Sequence, residues 1–235
     1  MGNFDQRDLA DRFAPIELLP EPLPTDPMPT VERWYGEAHA KRIQPNPNAM
    51  SLATIDAEGK PQCRIVLCKE LNARHGWLMF YTNYESRKGA ARSHHPHAAV
   101  VMHWDALDRQ IRIEGAIERA TDAESDAYYA SRALESRLGA WASDQSRPIA
   151  SRAEMLERVR ATAERFGITQ QMLERNEGDV PRPAHWGGFR LWASRVELWV
   201  AGPGRVHDRA AWTRKVDVKS GGATCSPWTS TRLQP

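Results

Sequence analysis

The sequence predicts a mixed β/α fold, mainly antiparallel β, in which strands form a closed or half-closed barrel with helices packed outside. Several strand-like segments come first along the chain, helix signals follow, and strand-like segments return at the end. The turn at residues 56–60 is short, and short hairpin turns favour antiparallel pairing. The 235 residues are enough for one large domain with a substantial core.

The first half of the chain is predicted to be an arm followed by strands. Pro20, Pro22, Pro24 and Pro27 are taken to exclude a regular helix from residues 1–28, so these residues are predicted to form a partly mobile or extended arm, and residues 29–235 the domain. Thr30 and Ser86 are the predicted N-caps of two helices, the second ending at residue 93. The apolar face of the first consists of Val31, Trp34 and Ala38. The predicted strands are residues 50–55, 62–69, 77–81, 98–104 and 110–118.

The second half opens with two capping boxes. Thr121 and Glu124 begin a helix predicted to reach Arg132, and Ser151 and Glu154 begin another. The apolar face of that second helix consists of Met155, Leu156, Val159 and Phe166. The remaining predicted elements are a loop at 176–183, strands at 189–200 (bent at 193–194), 205–215 and 228–233, and a long loop at 217–227.

Composition restricts the class of protein. Hydrophobic residues make up 41% and charged residues 26%, which is typical of a globular chain, and a formal net charge of +2 is too small to indicate nucleic-acid binding. No apolar run approaches the ~20 residues of a membrane span, and residues 1–12 have no apolar signal core. Cys63, Cys68 and Cys225 form no CxxC pair, and this sparse, odd count favours the cytoplasm.

The first candidate site is a group of cations near the start of the predicted helix at Ser86. Arg64 lies on the strand before it, and Arg87 and Lys88 follow the cap. Free N–H groups at a helix start attract anions, so these residues would suit a phosphate monoester. The alternative is a hairpin with a solvated basic end.

A second candidate site consists of Tyr128, Arg132 and Ser136. Their spacing of four residues would place them on one face if the helix were continuous. A guanidinium between two hydroxyls would suit a phosphate, and the alternative is an ordinary polar helix face.

The third candidate is Arg205, His207 and Arg209, close to Trp199. On a strand, spacing of two puts the three side chains on one face. Such groups avoid burial unless an anion is present, and the alternative is an exposed edge strand protected by charge. Histidines 94, 95 and 97 have no carboxylate or cysteine at ligand spacing, so no metal site is predicted.

These segments together resemble the pyridoxine/pyridoxamine 5′-phosphate oxidase family over residues 26–235. The order and spacing of short motifs carry the resemblance. They are RIVLCK (64–69), FYTN (80–83), SRK (86–88), RQ (109–110), GAWAS (139–143), QS (145–146), WGGFR (186–190), RVHDR (205–209) and RLQP (232–235).

The resemblance implies an FMN-binding split barrel and a homodimer with two flavin sites at the subunit interface. FMN contacts are implied for Arg64, Ile65, Val66, Leu67, Lys69, Tyr81, Thr82, Arg87, Lys88, Gln110, Gln145, Ser146, Trp199 and Arg209. Substrate contacts are implied for Lys69, Tyr128, Arg132, Ser136, Arg205 and His207, the last two lying over the pyridine ring as the catalytic pair.

The implied reaction is oxidation of pyridoxamine or pyridoxine 5′-phosphate to pyridoxal 5′-phosphate, with O₂ as acceptor and H₂O₂ as by-product. A paralogous flavin oxidase of phenazine biosynthesis is one alternative, and retention of the substrate-phosphate residues argues against it. A flavin- or vitamer-binding protein without turnover is the other.

Overall fold

An antiparallel sheet forms the centre of the fold in the computed structural model, which describes residues 6–15, 17–219 and 221–235. The helices are α1 Gln6–Phe13, α2 Met28–Ala40, α3 Arg87–Ala91, α4 Asp122–Ala130, α5 Leu134–Ala142, α6 Arg152–Arg165 and α7 Gln170–Arg175. The strands are β1 Ala49–Ile55, β2 Pro61–Leu67, β3 Glu70–Asn72, β4 Trp77–Asn83, β5 His97–Trp104, β6 Arg109–Arg119, β7 Trp186–Val200, β8 Asp208–Thr213, β9 Val216–Lys219, β10 Gly222–Cys225 and β11 Thr229–Leu233. The predicted class, mixed and mainly antiparallel, is confirmed.

The main sheet has the order β11-β8-β7-β6-β5-β1-β2, and its longest strand, β7, changes partners halfway. The first half of β7 pairs with β4 and the second half with β8, while β6 runs along both. The register with β6 shifts at Gly115, opposite Ser194. A side chain at Gly115 would place its Cβ 1.8 Å from the carbonyl oxygen of Trp192, so only glycine fits. This bulge confirms the predicted bend at 193–194.

The main hydrophobic core packs against the sheet and includes the buried face of α2. Val31, Trp34 and Ala38 are fully buried against it, as the sequence predicts. Burial of one such large side chain contributes about 1.5–3 kcal/mol. The predicted cap at Thr30 is wrong, because Pro27 is the N-cap and α2 begins at Met28.

The arm differs from the prediction at its start. Residues Gln6–Phe13 form helix α1, contrary to the prediction. The prolines of the arm all come after this helix, so none of them interrupts its backbone hydrogen bonds. Further along, Glu17 forms ion pairs with Arg33 and Arg109, which attach the arm to α2 and β6. Residues 1–5 and 16 lie outside the described residues, and mobility of the arm stays a prediction.

Four other predictions need correction. The strand predicted from residue 205 begins at Asp208, and the predicted loop 217–227 contains the hairpin β9–β10, whose valines pack against Trp77 and Trp192. Residue 220 within it lies outside the described part of the chain.

Two corrections concern helices. The helix predicted to reach Arg132 ends at Ala130, and Leu156, predicted on the apolar face of α6, is exposed. Within the described ranges, no helix is long and apolar enough to cross a membrane.

Candidate active site

A cavity of about 560 Å³ lies between β2, β4 and the α4–α5 region. It brings together most of the first two candidate sites. Its lining residues are Arg64, Ile65, Val66, Leu67, Lys69, Tyr81, Thr82, Lys88, Tyr128, Arg132, Ala133, Ser136, Gln145 and Trp186.

Arg64 contributes positive charge that neighbouring carboxylates do not neutralise. Its Nη1 donates to the carbonyl of Leu52 (3.1 Å) and to the hydroxyl of Thr54 (2.8 Å), both uncharged acceptors. Among the residues that the structure describes, no carboxylate lies within ion-pair distance of Arg64. Burial lowers the pKa of Arg64, and the like charge of Arg87 acts in the same direction. An anion would relieve both effects.

Lys88 stands beside Arg64 at the start of α3. Ser86 caps this helix as predicted, since its Oγ accepts from the N–H of Gly89. The Nζ of Lys88 donates to Ser86 Oγ (3.1 Å) and Gln145 Oε1 (2.6 Å). Burial, with the nearby charge of Arg64, lowers the pKa of Lys88 to about 8. Within the described residues, Lys88 is therefore another cation without a carboxylate at ion-pair distance.

Arg87 and Ser146 line an adjoining cavity of about 550 Å³, which also includes Arg64, Lys88 and Gln145. The side chain of Arg87 is 70% exposed and lies 3.9 Å from Asp56. Ser146 has a φ of +74°, in the left-handed region that non-glycine residues rarely adopt. Such strain tends to occur at functional sites. The three cations predicted around a phosphate, Arg64, Arg87 and Lys88, thus lie around two adjoining cavities.

Three aromatic rings form one wall. Tyr81 stacks on Tyr128 at 3.9 Å between centroids and on Trp186 at 5.6 Å. Lys69 lies over one of these rings, with its Nζ 5.9 Å from the centroid of Tyr128. Burial raises the pKa of Tyr81 to about 12, so its hydroxyl stays neutral at physiological pH. Sequence reasoning missed Trp186 as a wall residue, although the WGGFR motif contains it.

Arg132 lies in the connection between α4 and α5, so the expectation of one continuous helix for Tyr128, Arg132 and Ser136 is wrong. The chain turns at Ser131, yet all three side chains line the same cavity. The guanidinium carbon of Arg132 lies 4.5 Å from the centroid of Trp186. Its Nη1 is buried, and the described part of the chain offers it no hydrogen-bond partner. An unsatisfied buried donor is costly, so this atom indicates a place for an anion.

The other predicted residues lie elsewhere. Gln110, Trp199 and Arg209 are direct neighbours across β6, β7 and β8, and the ring of His207 lies 4.7 Å from that of Trp199. Trp199 is at the opposite end of β7 from Trp186, which corresponds to roughly 40 Å along a strand. This second group therefore does not line the cavity within one chain.

Arg205, His207 and Arg209 do not share a strand face, contrary to the prediction. Arg205 ends a 3₁₀ turn, Pro203–Arg205, and has a φ of +64°. The Nδ1 of His207 accepts a hydrogen bond from the N–H of Gly202 at 3.1 Å, so the neutral ring carries its proton on Nε2. Arg209 differs from Arg64, because it forms an ion pair of 2.6 Å with Glu197, a carboxylate only 2% exposed.

Comparison with protein families gives two matches. Residues 36–166 match the family described as pyridoxamine 5′-phosphate oxidase, and residues 186–235 match the pyridoxine 5′-phosphate oxidase C-terminal dimerisation region. The second match supports a homodimer.

Two solved structures share the fold. PhzG from Burkholderia lata 383, in complex with tetrahydrophenazine-1-carboxylic acid, is 25% identical with a TM-score of 0.75, covering 90% of this chain and 94% of that one. A pyridoxamine 5′-phosphate oxidase-related, FMN-binding protein from Nostoc punctiforme PCC 73102 is 16% identical with a TM-score of 0.62, covering 87% and 96%. These neighbours confirm the predicted split-barrel fold.

Among curated relatives, the pyridoxine/pyridoxamine 5′-phosphate oxidase of Burkholderia cenocepacia (strain HI2424) is 44% identical over 228 residues, covering 97% of this chain and 98% of the relative. That of Burkholderia multivorans (strain ATCC 17616 / 249) is 42% identical with the same coverage. These relatives support an oxidoreductase with a flavin cofactor. The chain belongs to the pyridoxamine 5′-phosphate oxidase family.

Proposed function

We propose that the protein uses FMN to oxidise pyridoxamine or pyridoxine 5′-phosphate to pyridoxal 5′-phosphate, with O₂ as acceptor and H₂O₂ as by-product. One observation carries the proposal: uncompensated cations lie in two separate places around one cavity. Arg64 and Lys88 form the first group, and Arg132, with its unsatisfied Nη1, marks the second. Two phosphates, one from FMN and one from the substrate, would satisfy both.

The donor chemistry fits the phosphate of FMN. A phosphate monoester carries a charge between about −1.5 and −2 at neutral pH, which matches a group of cations held by uncharged acceptors. Arg64, Arg87, Lys88 and Ser146 would hold the phosphate and ribityl chain. Bound FMN would supply a two-electron acceptor, which protein side chains cannot provide. The rest of the FMN site in this chain would be formed by the backbone of Ile65, Val66 and Leu67 and by the side chains of Tyr81, Thr82 and Gln145.

The second cation group fits the phosphate of the substrate. Arg132, Lys69 and the hydroxyls of Tyr128 and Ser136 all line the cavity. Binding energy from this remote group would position the reacting carbon of the substrate, which lies away from the phosphate. That arrangement predicts strong preference for phosphorylated over unphosphorylated vitamers.

A second protomer would complete each site. Gln110, Trp199 and Arg209 lie too far along the sheet to reach the cavity of their own chain, and a two-fold dimer creates two equal shared sites. Ile65 lines the cavity and is 63% exposed, so its side chain is available to a second protomer at this face. In that dimer Arg205 would orient the substrate ring. His207, with its proton on Nε2, would assist proton transfer during the reaction.

A phenazine-type oxidase is the second candidate, favoured by the overlap with PhzG over 90% of the chain. The ligand in that structure is a carboxylic acid, with one charge, and the paired cation groups here favour two phosphates. A binding protein without turnover would share the cavity and would not reduce its flavin.

The experiment is a spectrum of the purified protein followed by anaerobic addition of pyridoxamine 5′-phosphate. We expect a yellow protein that releases FMN, loses its flavin absorbance on addition, and regains it in air with formation of pyridoxal 5′-phosphate and H₂O₂. Unphosphorylated pyridoxamine at equal concentration is the control. An FMN-loaded protein that stays oxidised would contradict the proposal, and release of FAD would contradict the cofactor assignment.

A further inference from the structure

Arg137 on α5 is a buried cation that the site described above does not use. Arg137 is only 8% exposed, and its Nε is buried without a hydrogen-bond partner in the described ranges. Those ranges also contain no carboxylate within ion-pair distance of it, whereas buried Arg190 has both Glu118 and Glu124. A buried charge is strongly unfavourable unless a charge of opposite sign compensates it.

Arg137 lies next to the second cation group. It follows Ser136, which lines the cavity, but Arg137 itself is among the buried residues of α5 and does not line the cavity. Side chains on a helix lean toward its N-terminus, here the connection that carries Arg132. Tyr129 joins the two arginines. Its ring lies 5.6 Å from the guanidinium carbon of Arg132, and its hydroxyl donates to the carbonyl of Arg137 at 2.8 Å.

The charges of the two arginines act on the same surroundings. Burial raises the pKa of Tyr129 to about 12, and the positive charges of Arg132 and Arg137 both oppose that rise. Burial also lowers the pKa of Arg132, and the like charge of Arg137 contributes in the same direction. Two neighbouring guanidinium groups therefore share one region with little negative charge.

We propose that Arg137 is a second guanidinium that acts from behind the lining of the substrate-anion site, where its charge favours a doubly charged phosphate monoester over a singly charged carboxylate. The proposal rests on the proposed function for the location of the substrate phosphate. Because Coulomb attraction scales with the charge of the ligand, a second buried cation strengthens binding of a dianion more than that of a monoanion. Arg137 is thus a specificity residue that acts together with Arg132.

The test measures binding to the FMN-loaded protein without turnover. Inorganic phosphate, pyridoxal 5′-phosphate and acetate are the probes, titrated into the wild-type protein, Arg137→Gln and Arg137→Lys at constant ionic strength. Arg175→Gln is the matched control, since Arg175 is an exposed arginine at the end of α7 and its loss changes the net charge equally.

We expect Arg137→Gln to weaken phosphate and pyridoxal 5′-phosphate binding roughly tenfold, and to change acetate binding much less. Arg137→Lys keeps the charge and should stay within about threefold of wild type. In phosphate-free buffer, Arg137→Gln should melt about 2–4 °C higher than wild type, because an uncompensated buried charge has been removed.

Phosphate affinity in Arg137→Gln equal to that in Arg175→Gln would overturn the proposal, as would an equal loss for phosphate and acetate. If the glutamine variant does not fold, Arg137→Met removes the charge with an apolar side chain of similar length and decides by the same criterion. Phosphate binding requires no oxidation, so a protein that fails to oxidise B6 vitamers still gives a decisive result here.

Discussion

Asp208 at the start of β8 accepts a hydrogen bond from the backbone N–H of Leu19, 2.7 Å away and 189 positions earlier in the chain. The same carboxylate forms an ion pair with Arg232, whose guanidinium also donates to the carbonyls of Leu19 and Pro20. Asp208 directly follows His207, so this contact joins the arm to the segment proposed to hold the substrate ring. Phe13 on α1 also lies near this segment, because a Cβ at Gly204 would lie 2.8 Å from its ring.

Asp208→Asn should loosen the arm. The neutral amide loses the charge-assisted bond to Arg232, whose side chain is 37% exposed, so the loss is on the order of 1 kcal/mol. We expect faster hydrogen exchange at Leu19 and a higher KM for the phosphorylated substrate, with a smaller change in kcat. Asp217→Asn is the matched control, since Asp217 is exposed and pairs only loosely with Lys219 at 3.5 Å. Equal exchange at Leu19 in the two variants would show that Asp208 does not hold the arm.

Lys88 should make FMN binding depend on pH. Its folded pKa of about 8 lies below the ordinary 10.5, so between these values the ligand-free folded protein binds fewer protons at this site than the unfolded chain. The contribution of Lys88 to stability therefore rises with pH across that window and is lost as pH falls through about 8. A phosphate favours the charged amine, so FMN affinity should fall by up to about tenfold per pH unit above pH 8.

Fluorescence titration of the apoprotein with FMN between pH 7 and pH 10 measures this dependence. Lys88→Arg should flatten it, because a guanidinium stays charged over the whole range. The same slope in Lys88→Arg and wild type would mean that another group titrates.

Local patterns predicted the first cation group well, and the reason is physical. Alternation places Arg64 on β2, and the cap at Ser86 depends on residues three positions away, so both follow from neighbours in sequence. The break after Ala130 and the turn at Arg205 could not be predicted in this way. In both places the regular backbone pattern ends, and the positions of the side chains depend on contacts with elements that are distant in sequence.

Contacts between distant elements also explain the residues that sequence reasoning missed. Trp186 becomes a wall of the cavity only because β7 pairs with β4, which brings Tyr81 against it. Arg137 looks like an ordinary helix cation until the fold shows that it is buried without a carboxylate partner in the described part of the chain. Whether a buried polar group has a hydrogen-bond partner depends on the folded structure, and residue spacing in the sequence does not predict it.

Arg132→Ala should weaken binding of the substrate phosphate without weakening binding of FMN. Arg132 lies between α4 and α5, apart from Arg64 and Lys88, and loss of one charge-assisted contact to phosphate costs on the order of 1.5–3 kcal/mol. We expect KM for pyridoxamine 5′-phosphate to rise by roughly one to two powers of ten, with FMN still bound. Turnover of unphosphorylated pyridoxamine is the control and should change little. An unchanged KM, or loss of FMN, would show that the assignment of Arg132 is wrong.

Sites shared between two chains predict that two impaired variants rescue each other when activity is measured at a substrate concentration well below the raised KM. Arg132→Ala damages the part of a site that lies in the cavity, and Arg205→Ala damages the part contributed from the far end of β7. In a dimer with one copy of each, one site contains both intact residues and the other contains neither. Co-expression with two different tags, followed by purification on both, isolates this mixed dimer.

We expect the mixed dimer to have about half of the wild-type activity per dimer, since one of two equal sites is complete. Dimers of Arg132→Ala carrying the same two tags are the control and should remain as impaired as the single variant at the same substrate concentration. A mixed dimer no more active than its parents would place both residues in a site made by one chain, and a wild-type protein that is an active monomer by light scattering would rule out shared sites altogether. Rescue would instead establish that the roughly 40 Å between the two ends of β7 is bridged by the second protomer.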